Sequence, residues 1–141
     1  MTGGVLLDTG PLVAFLDRRD SFYDWATEYL HQLSAPLLTC EPVITEACFL
    51  VRHLADGIPA VLELLERGVV KIDFRMDSEV ETLRRLTAKY ADVPMSLGDA
   101  CLVRMSELHP QGIVWTLDAD FRRYRRKGRR VIPLMIPDAQ K

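Results

Sequence analysis

The sequence predicts an α/β protein in three layers, with a central parallel sheet of about five strands flanked by helices. Three observations carry this. Short apolar runs alternate with longer segments of helical period along the whole chain. Several of the short runs lack polar alternation, as parallel strands do when both their faces are covered. The 141 residues, 48% of them apolar, suffice for one hydrophobic core, so residues 1–141 read as a single domain.

The first run, VLL at 5–7, ends at Asp8. A helical stretch follows from about residue 12 to 16, with Pro11 in its first turn, where a missing N–H costs nothing. From 21 to about 33, Phe22, Trp25, Tyr29 and Leu33 share one broad face of an amphipathic helix. That face reads either as core packing or as a contact surface for a partner. PLLTC at 36–40 is a second strand, and 42–54 and 59–67 are two further helices. VVKIDF at 69–74 follows Gly68 as a third strand. Residues 77–90 form a helix with Val80, Leu83 and Leu86 along one stripe, and 96–108 form another after Pro94. IVWTL at 113–117 is the fourth strand, and 131–136 is the expected fifth. No internal repeat, low-complexity tract or linker interrupts this order.

The N-terminus lacks the basic and long apolar regions of a signal peptide, and no apolar run approaches the ~20 residues that span a bilayer. Cys40, Cys48 and Cys101 form no C-x-x-C pair and sit in apolar stretches, reading as small buried side chains. A cytoplasmic location is the expectation. The net charge of −2 conceals an asymmetry: residues 122–130 (RRYRRKGRR) hold seven of the 18 basic residues and no acid. The rest of the chain carries 11 basic against 20 acidic residues. Such a split points to a polyanionic ligand more strongly than the overall charge does.

Four of the acids stand out. Asp8 and Asp118 directly follow the first and fourth strands, at the carboxyl edge where open α/β sheets place ligands. Glu46 and Asp99 lie in helical segments that are apolar nearly all round, VITEACFLV and LGDACLV. A carboxylate there is expected to be at least partly buried, and an isolated buried anion needs a cation, a metal or several donors. Each aspartate also has a purely structural reading. Asp8 could cap the helix that follows it, Asp118 or Asp120 could cap the segment around Phe121, and Ser96 with Asp99 resembles a capping box. Glu46 has no comparable capping role. At Asp99 the two readings are compatible, because an acid held by a cap is also an acid of fixed geometry.

Other chemistries lack their residues. There is no H-x-x-x-H, C-x-x-C or G-x-S-x-G pattern and no phosphate-binding G-x-x-x-x-G-K-[ST], and His31, His53 and His109 are scattered. An aspartate-nucleophile phosphatase would want a second Asp two residues after Asp8, where the chain has Gly10.

In this order and spacing, the stretches at 5–16 (VLLDTGPLVAFL), 42–50 (PVITEACFL), 96–102 (SLGDACL) and 116–121 (TLDADF) resemble the PIN-domain nucleases. The closest likeness is to the VapC-type toxins of toxin–antitoxin pairs, and it covers essentially the whole chain. The resemblance implies a sheet of strand order 3-2-1-4-5 and carries the family's acids onto Asp8, Glu46, Asp99 and Asp118. Asp120 matches a position that is often acidic and is accessory, as are the hydroxyls of Thr9 and Thr116. It further implies a homodimer, a small antitoxin encoded beside it, and hydrolysis of RNA to 5′-phosphate and 3′-hydroxyl ends.

The mechanism expected is metal-dependent, with the four carboxylates binding one or two Mg²⁺ or Mn²⁺ ions, hard cations that prefer oxygen. Two carboxylate charges ~4 Å apart repel by ~4 kcal/mol at an effective dielectric of ~20, so at least one pKa should rise without metal. In the basic segment, Arg122, Arg123, Arg125 and Arg126 are expected to hold phosphates and Tyr124 to stack on a base. The same segment also reads as a solvated loop or as the seat of an acidic partner tail. The alternative function is a PIN-like module that binds or helps process RNA without being a toxin; loss of an acid would mark a binding-only form, and none is lost here. A structure-specific DNA nuclease would need an extra helical arch, for which the chain leaves little room.

Overall fold

The computed structural model describes residues 4–138. Five parallel strands form its central sheet: β1 (Val5–Leu7), β2 (Leu37–Thr39), β3 (Val70–Ile72), β4 (Ile113–Trp115) and β7 (Leu134–Met135), in the order β3-β2-β1-β4-β7. Counted along the sheet, this is the expected 3-2-1-4-5 arrangement. Strand β1 is central and its three residues are buried on both faces, which is why VLL shows no alternation.

Helices flank the sheet: α1 (Thr9–Leu16), α2 (Tyr23–Gln32), α3 (Glu41–Leu50), α4 (Gly57–Glu66), α5 (Val80–Lys89) and α6 (Leu97–Leu108). Helix α1 packs on α2 and α3, α3 also meets α4 and α6, and α5 lies against α6. The aromatic face of α2 turns inward. The ring of Trp25 lies 6.1 Å from that of Trp115 in β4, and Trp25 meets Phe22 and Tyr29 edge-on. Core packing accounts for this stripe.

Two helices differ from their sequence expectation at the ends. Helix α3 stops at Leu50 rather than near 54, and a turn through Val51–Leu54 leads to Gly57. A Cβ at Gly57 would sit 1.9 Å from the carbonyl oxygen of Val51, so only glycine lets α4 start so close to the end of α3. Helix α5 begins at Val80, after a 3-10 turn at Met76–Ser78.

The expected fifth strand, 131–136, is a correction. Val131 belongs to an antiparallel hairpin, β5 (Arg125–Arg126) with β6 (Arg130–Val131), and only Leu134–Met135 joins the main sheet. Pro133 divides the two. It has no N–H to donate to a ladder, while its carbonyl accepts from Val114 N at 2.9 Å and so starts the pairing with β4. Cys40 and Cys101 are buried in the core as expected, whereas Cys48 is half-buried. No helix among the described residues is long and apolar enough to cross a membrane.

The Gly57 contact yields a stability prediction. Gly57→Ala should destabilise the protein by about 1–3 kcal/mol, through overpacking against backbone that cannot yield. Urea unfolding measures this, and an unchanged midpoint would show that the α3–α4 turn has room to spare.

Candidate active site

Parallel pairing of β1 with β4 sets the register Leu7↔Trp115, so both strands run out at one edge of the sheet. Asp8 is the next residue on β1 and Thr116 the next on β4, and Asp8 N donates to Trp115 O at 3.0 Å. The Asp8 carboxylate is clamped between the strands: Oδ1 accepts from Thr9 N at 2.8 Å, and Oδ2 accepts from the Thr116 hydroxyl at 2.6 Å. Asp8 therefore caps α1 and faces the sheet edge at once. The Thr116 hydroxyl in turn accepts from Asp118 N at 2.9 Å, and Asp118 Oδ1 accepts from Asp120 N at 2.9 Å, capping a 3-10 turn at Ala119–Arg122. One threonine thus orders two acids.

Asp99 arrives from α6. Ser96 Oγ accepts from Asp99 N at 3.0 Å and Ser96 N donates to Asp99 Oδ2 at 3.4 Å, the capping box expected from the sequence. Glu46 arrives from α3, its Oε1 accepting from the Thr9 hydroxyl at 2.8 Å. All four acids, with Asp120, line one cavity of about 440 Å³, together with Thr9, Gly10 and Leu117. Among the described residues no cationic side chain lines it, and the exposed Arg123 lies 3.9 Å from Asp120 Oδ1 at its edge. A Cβ at Gly10 would lie 3.0 Å from Leu117, so the position two after Asp8 has no room for a second aspartate.

Burial and mutual repulsion shape the charge. Asp8 is 8% exposed. Loss of water pushes its carboxyl up to about 7, against the pull of the Thr116 and Thr9 hydrogen bonds and with a further push from the Asp99 and Asp118 charges. Asp99 is also raised, by burial first and then by Asp118, while Tyr124 and Ser96 hold it down.

Two expectations are overturned. Glu46 is exposed, not partly buried. Helix α3 buries Val43 and Ala47, and the apolar residues after Glu46 are themselves open, Phe49 at 59% and Leu50 at 42%. An apolar sequence neighbourhood was therefore no guide to burial here. Tyr124 cannot stack on a base, because it is fully buried, with its ring edge-on to Tyr90 and Phe121. Its hydroxyl donates to Asp99 Oδ2 at 2.9 Å, and burial with the Asp99 charge pushes the phenol far above its ordinary range. Nothing in a tyrosine amid arginines signals that role.

The arginines stand apart from the acids. Arg122 and Arg123 are exposed beyond Asp120. Arg125 donates to the carbonyls of Arg122 and Tyr124, and Arg126 to that of Ser106, so both guanidinium groups are anchored on backbone.

Among the described residues, no three His, Cys, Asp or Glu side chains are grouped closely enough to cage a metal ion directly. The donor set suits a hydrated hard cation instead. It is all oxygen, it converges on one cavity that no cationic side chain among the described residues lines, and it includes a carboxyl that burial pushes up to about 7. Mg²⁺ usually keeps several of its waters and takes only one or two carboxylates directly.

A parallel α/β sheet with carboxylates gathered in a cleft at its carboxyl edge, where such sheets place ligands, defines the class of this fold and site. Within it, the PIN-domain family model matches residues 5–127, and the chain belongs to that family. It is 26% identical over 116 residues to Ribonuclease VapC26 of Mycobacterium tuberculosis (strain ATCC 25618 / H37Rv), covering 81% of this chain and 86% of the relative. Its fold is similar to that of M. tuberculosis VapC20, described as a sarcin–ricin-loop-cleaving toxin, with a TM-score of 0.75, 15% identity, and coverage of 83% and 92% of the two chains. It is also similar to a chain of VapBC2 from Rickettsia felis, solved bound to a DNA fragment from the promoter, with a TM-score of 0.62, 14% identity, and coverage of 95% and 98%.

Two measurements probe the site's electrostatics. Asp8 holds its proton to a higher pH when folded than the ordinary 3.8, so the folded chain binds more protons between about pH 4 and 7. Stability from this group is full below that window and lost as pH rises through it. Without metal, the melting temperature should fall between about pH 4 and 7 in the wild type and much less in Asp8→Asn; equal falls would place the titration elsewhere. In Tyr124→Phe, loss of the donor should raise the pH at which the Asp99 carboxyl carbon titrates by NMR, at a stability cost of about 1 kcal/mol. An unmoved titration would show that the hydroxyl does not govern Asp99.

Proposed function

We propose that the protein is a metal-dependent endoribonuclease using Mg²⁺ or Mn²⁺, and the toxin of a VapBC-type pair, with residues 1–141 forming one PIN domain. The observation that carries this reading is the convergence of Asp8, Glu46, Asp99 and Asp118 on one cavity that no cationic side chain among the described residues lines. The family match supports it, as do a relative named as a ribonuclease and a structural neighbour described as a sarcin–ricin-loop-cleaving toxin. The likeness to the VapBC2 chain supports a small antitoxin as partner. A homodimer in the cytoplasm completes the reading.

Asp8, Asp99, Asp118 and Glu46 would hold the ion, some of them through its waters. When bound, a divalent ion supplies an acidified water and neutralises charge on the scissile phosphate. The protein's own contribution is positional. Thr9 and Thr116 fix both oxygens of Asp8, and Thr116 also fixes the backbone of Asp118. The Ser96 cap and Tyr124 aim Asp99. Glu46, exposed and tethered only by Thr9, is the acid with most freedom to adjust to substrate. Asp120 serves as an accessory acid at the rim, with Arg123 3.9 Å from it; Arg122 supplies further positive charge, and Arg125 and Arg126 carry it on into the hairpin. The products are 5′-phosphate and 3′-hydroxyl ends.

Purified protein incubated with total RNA and Mg²⁺ or Mn²⁺ should create new 5′ ends, which sequencing maps. Chelation or Asp8→Asn should abolish them. Millimolar metal should raise the melting temperature of the wild type, and Asp8→Asn should weaken that rise. Cleavage that survives chelation or Asp8→Asn would overturn the mechanism.

A further inference from the structure

A second cavity, of about 550 Å³, lies between α5, α6 and the β5–β6 hairpin, and its charge is the reverse of the acidic cleft. Arg85, Lys89, Arg104, Arg125 and Lys127 line it against a single carboxylate, Glu107. Arg104 is matched, pairing with Glu79 and Glu107. Among the described residues, no ion pair is recorded for Arg85, Lys89, Arg125 or Lys127, so four positive charges meet in one concavity without counter-ions from the chain.

The cavity is held in shape. Arg85 and Lys89 stand one turn apart on α5, on the same side of the helix. The Lys89 ammonium donates to Gly128 O at 3.0 Å and lies 5.3 Å from the centre of the Tyr90 ring. The hairpin turn places Lys127 at a φ of 51°, a left-handed conformation uncommon for lysine, and Glu107 Oε2 accepts from Lys127 N at 2.6 Å to hold it there. Arg125 donates to carbonyls, which carry no net charge, so its positive charge stays unspent. Like charges so arranged repel one another, and a bound polyanion would relieve that repulsion.

The two cavities are linked. Tyr124 touches Asp99, and the next residue, Arg125, lines the basic cavity while its N–H donates to the Tyr90 hydroxyl at 3.0 Å. A polynucleotide leaving the acidic cleft past the exposed Arg122 and Arg123 would meet this concavity.

We propose that the α5–hairpin cavity is a phosphate subsite, gripping the RNA backbone outside the scissile bond through Arg85, Lys89, Arg125 and Lys127. The identity of the polyanion as RNA rests on the ribonuclease reading above. Grip on the backbone there adds affinity without reading bases.

The test measures binding separately from cleavage. A fluorescent single-stranded RNA of about 20 nucleotides is titrated into full-length Asp8→Asn protein over a range of salt concentrations. Adding Arg85→Gln and Lys89→Gln should weaken binding about tenfold at low salt and reduce the slope of log Kd against log salt by about 1.4, for two lost phosphate contacts. Lys127→Gln, on the opposite wall, should give about half that change in slope, and the charge-preserving pair Arg85→Lys and Lys89→Arg should restore it. Each variant is first shown to melt with its parent.

Unchanged affinity and slope in both neutralised variants would overturn the subsite while leaving the ribonuclease reading intact. Failure of the wild type to cleave RNA, with the binding losses still present, would sink that reading and spare the subsite. If a hexaglutamate peptide bound more tightly than the RNA and lost its binding in the same variants, the cavity would belong to an acidic protein partner and the proposal would fall.

Discussion

Burying Asp8 at the junction of β1 and β4 is the constraint around which the rest of the molecule is arranged. A carboxylate withdrawn from water beside two others is costly in its charged form, and among the described residues no cationic side chain lines the cleft to offset it. What the chain supplies instead is geometry: one hydrogen bond from Thr9 and one from Thr116 on the neighbouring strand. The Thr9 bond is local to the start of α1, but the Thr116 bond exists only if β1 and β4 are adjacent and parallel, in the register observed. Gly10 extends the same logic, since α1 leaves the strand end closely enough that even a methyl would press on Leu117. The carboxyl is held in place by hydrogen bonds alone, and its geometry is therefore fixed by the backbone of two strands.

The acids are also structural elements. Asp8 caps α1, Asp118 caps the 3-10 turn after β4, and Asp99 completes a capping box on α6. Their oxygens are thus already committed to holding the backbone, so a substitution at any of the three is felt in stability as well as at the cleft. Glu46 is the exception. Its tether is a single side-chain hydrogen bond and its surroundings are open, so its position depends least on the folded backbone.

This division explains what could be read in the sequence. Asp8 and Asp118 were legible because a residue following a parallel strand must fall on the carboxyl edge, whichever strands turn out to be neighbours. Asp99 was legible from the three-residue spacing to Ser96, a local signal. Strand adjacency is not local, and it came from family resemblance rather than from periodicity. Glu46 was singled out by its apolar neighbours, yet the inference of burial failed. Hydrophobic period shows which residues share a face, not whether another element covers it, and Phe49 and Leu50 remain exposed. The fifth strand was drawn too long for a similar reason. The apolar run through 131–136 has one composition but two pairing partners, and Pro133 divides them.

The basic segment shows how side-chain chemistry is hidden by composition. As a string, RRYRRKGRR suggests a uniform positive arm with an aromatic residue for stacking. In three dimensions its members have separate duties: Tyr124 turns inward to an acid, Arg126 reaches a helix carbonyl, and Arg125 and Lys127 line a cavity. Hydrogen bonds from arginine to carbonyl oxygens fix the position of the guanidinium group without cancelling its charge. A cation held that way loses little conformational entropy when an anion arrives, unlike a free surface side chain. The hairpin thus presents ordered positive charge one residue away from a tyrosine that orders a carboxylate, and so joins a site suited to a cation to one suited to a polyanion.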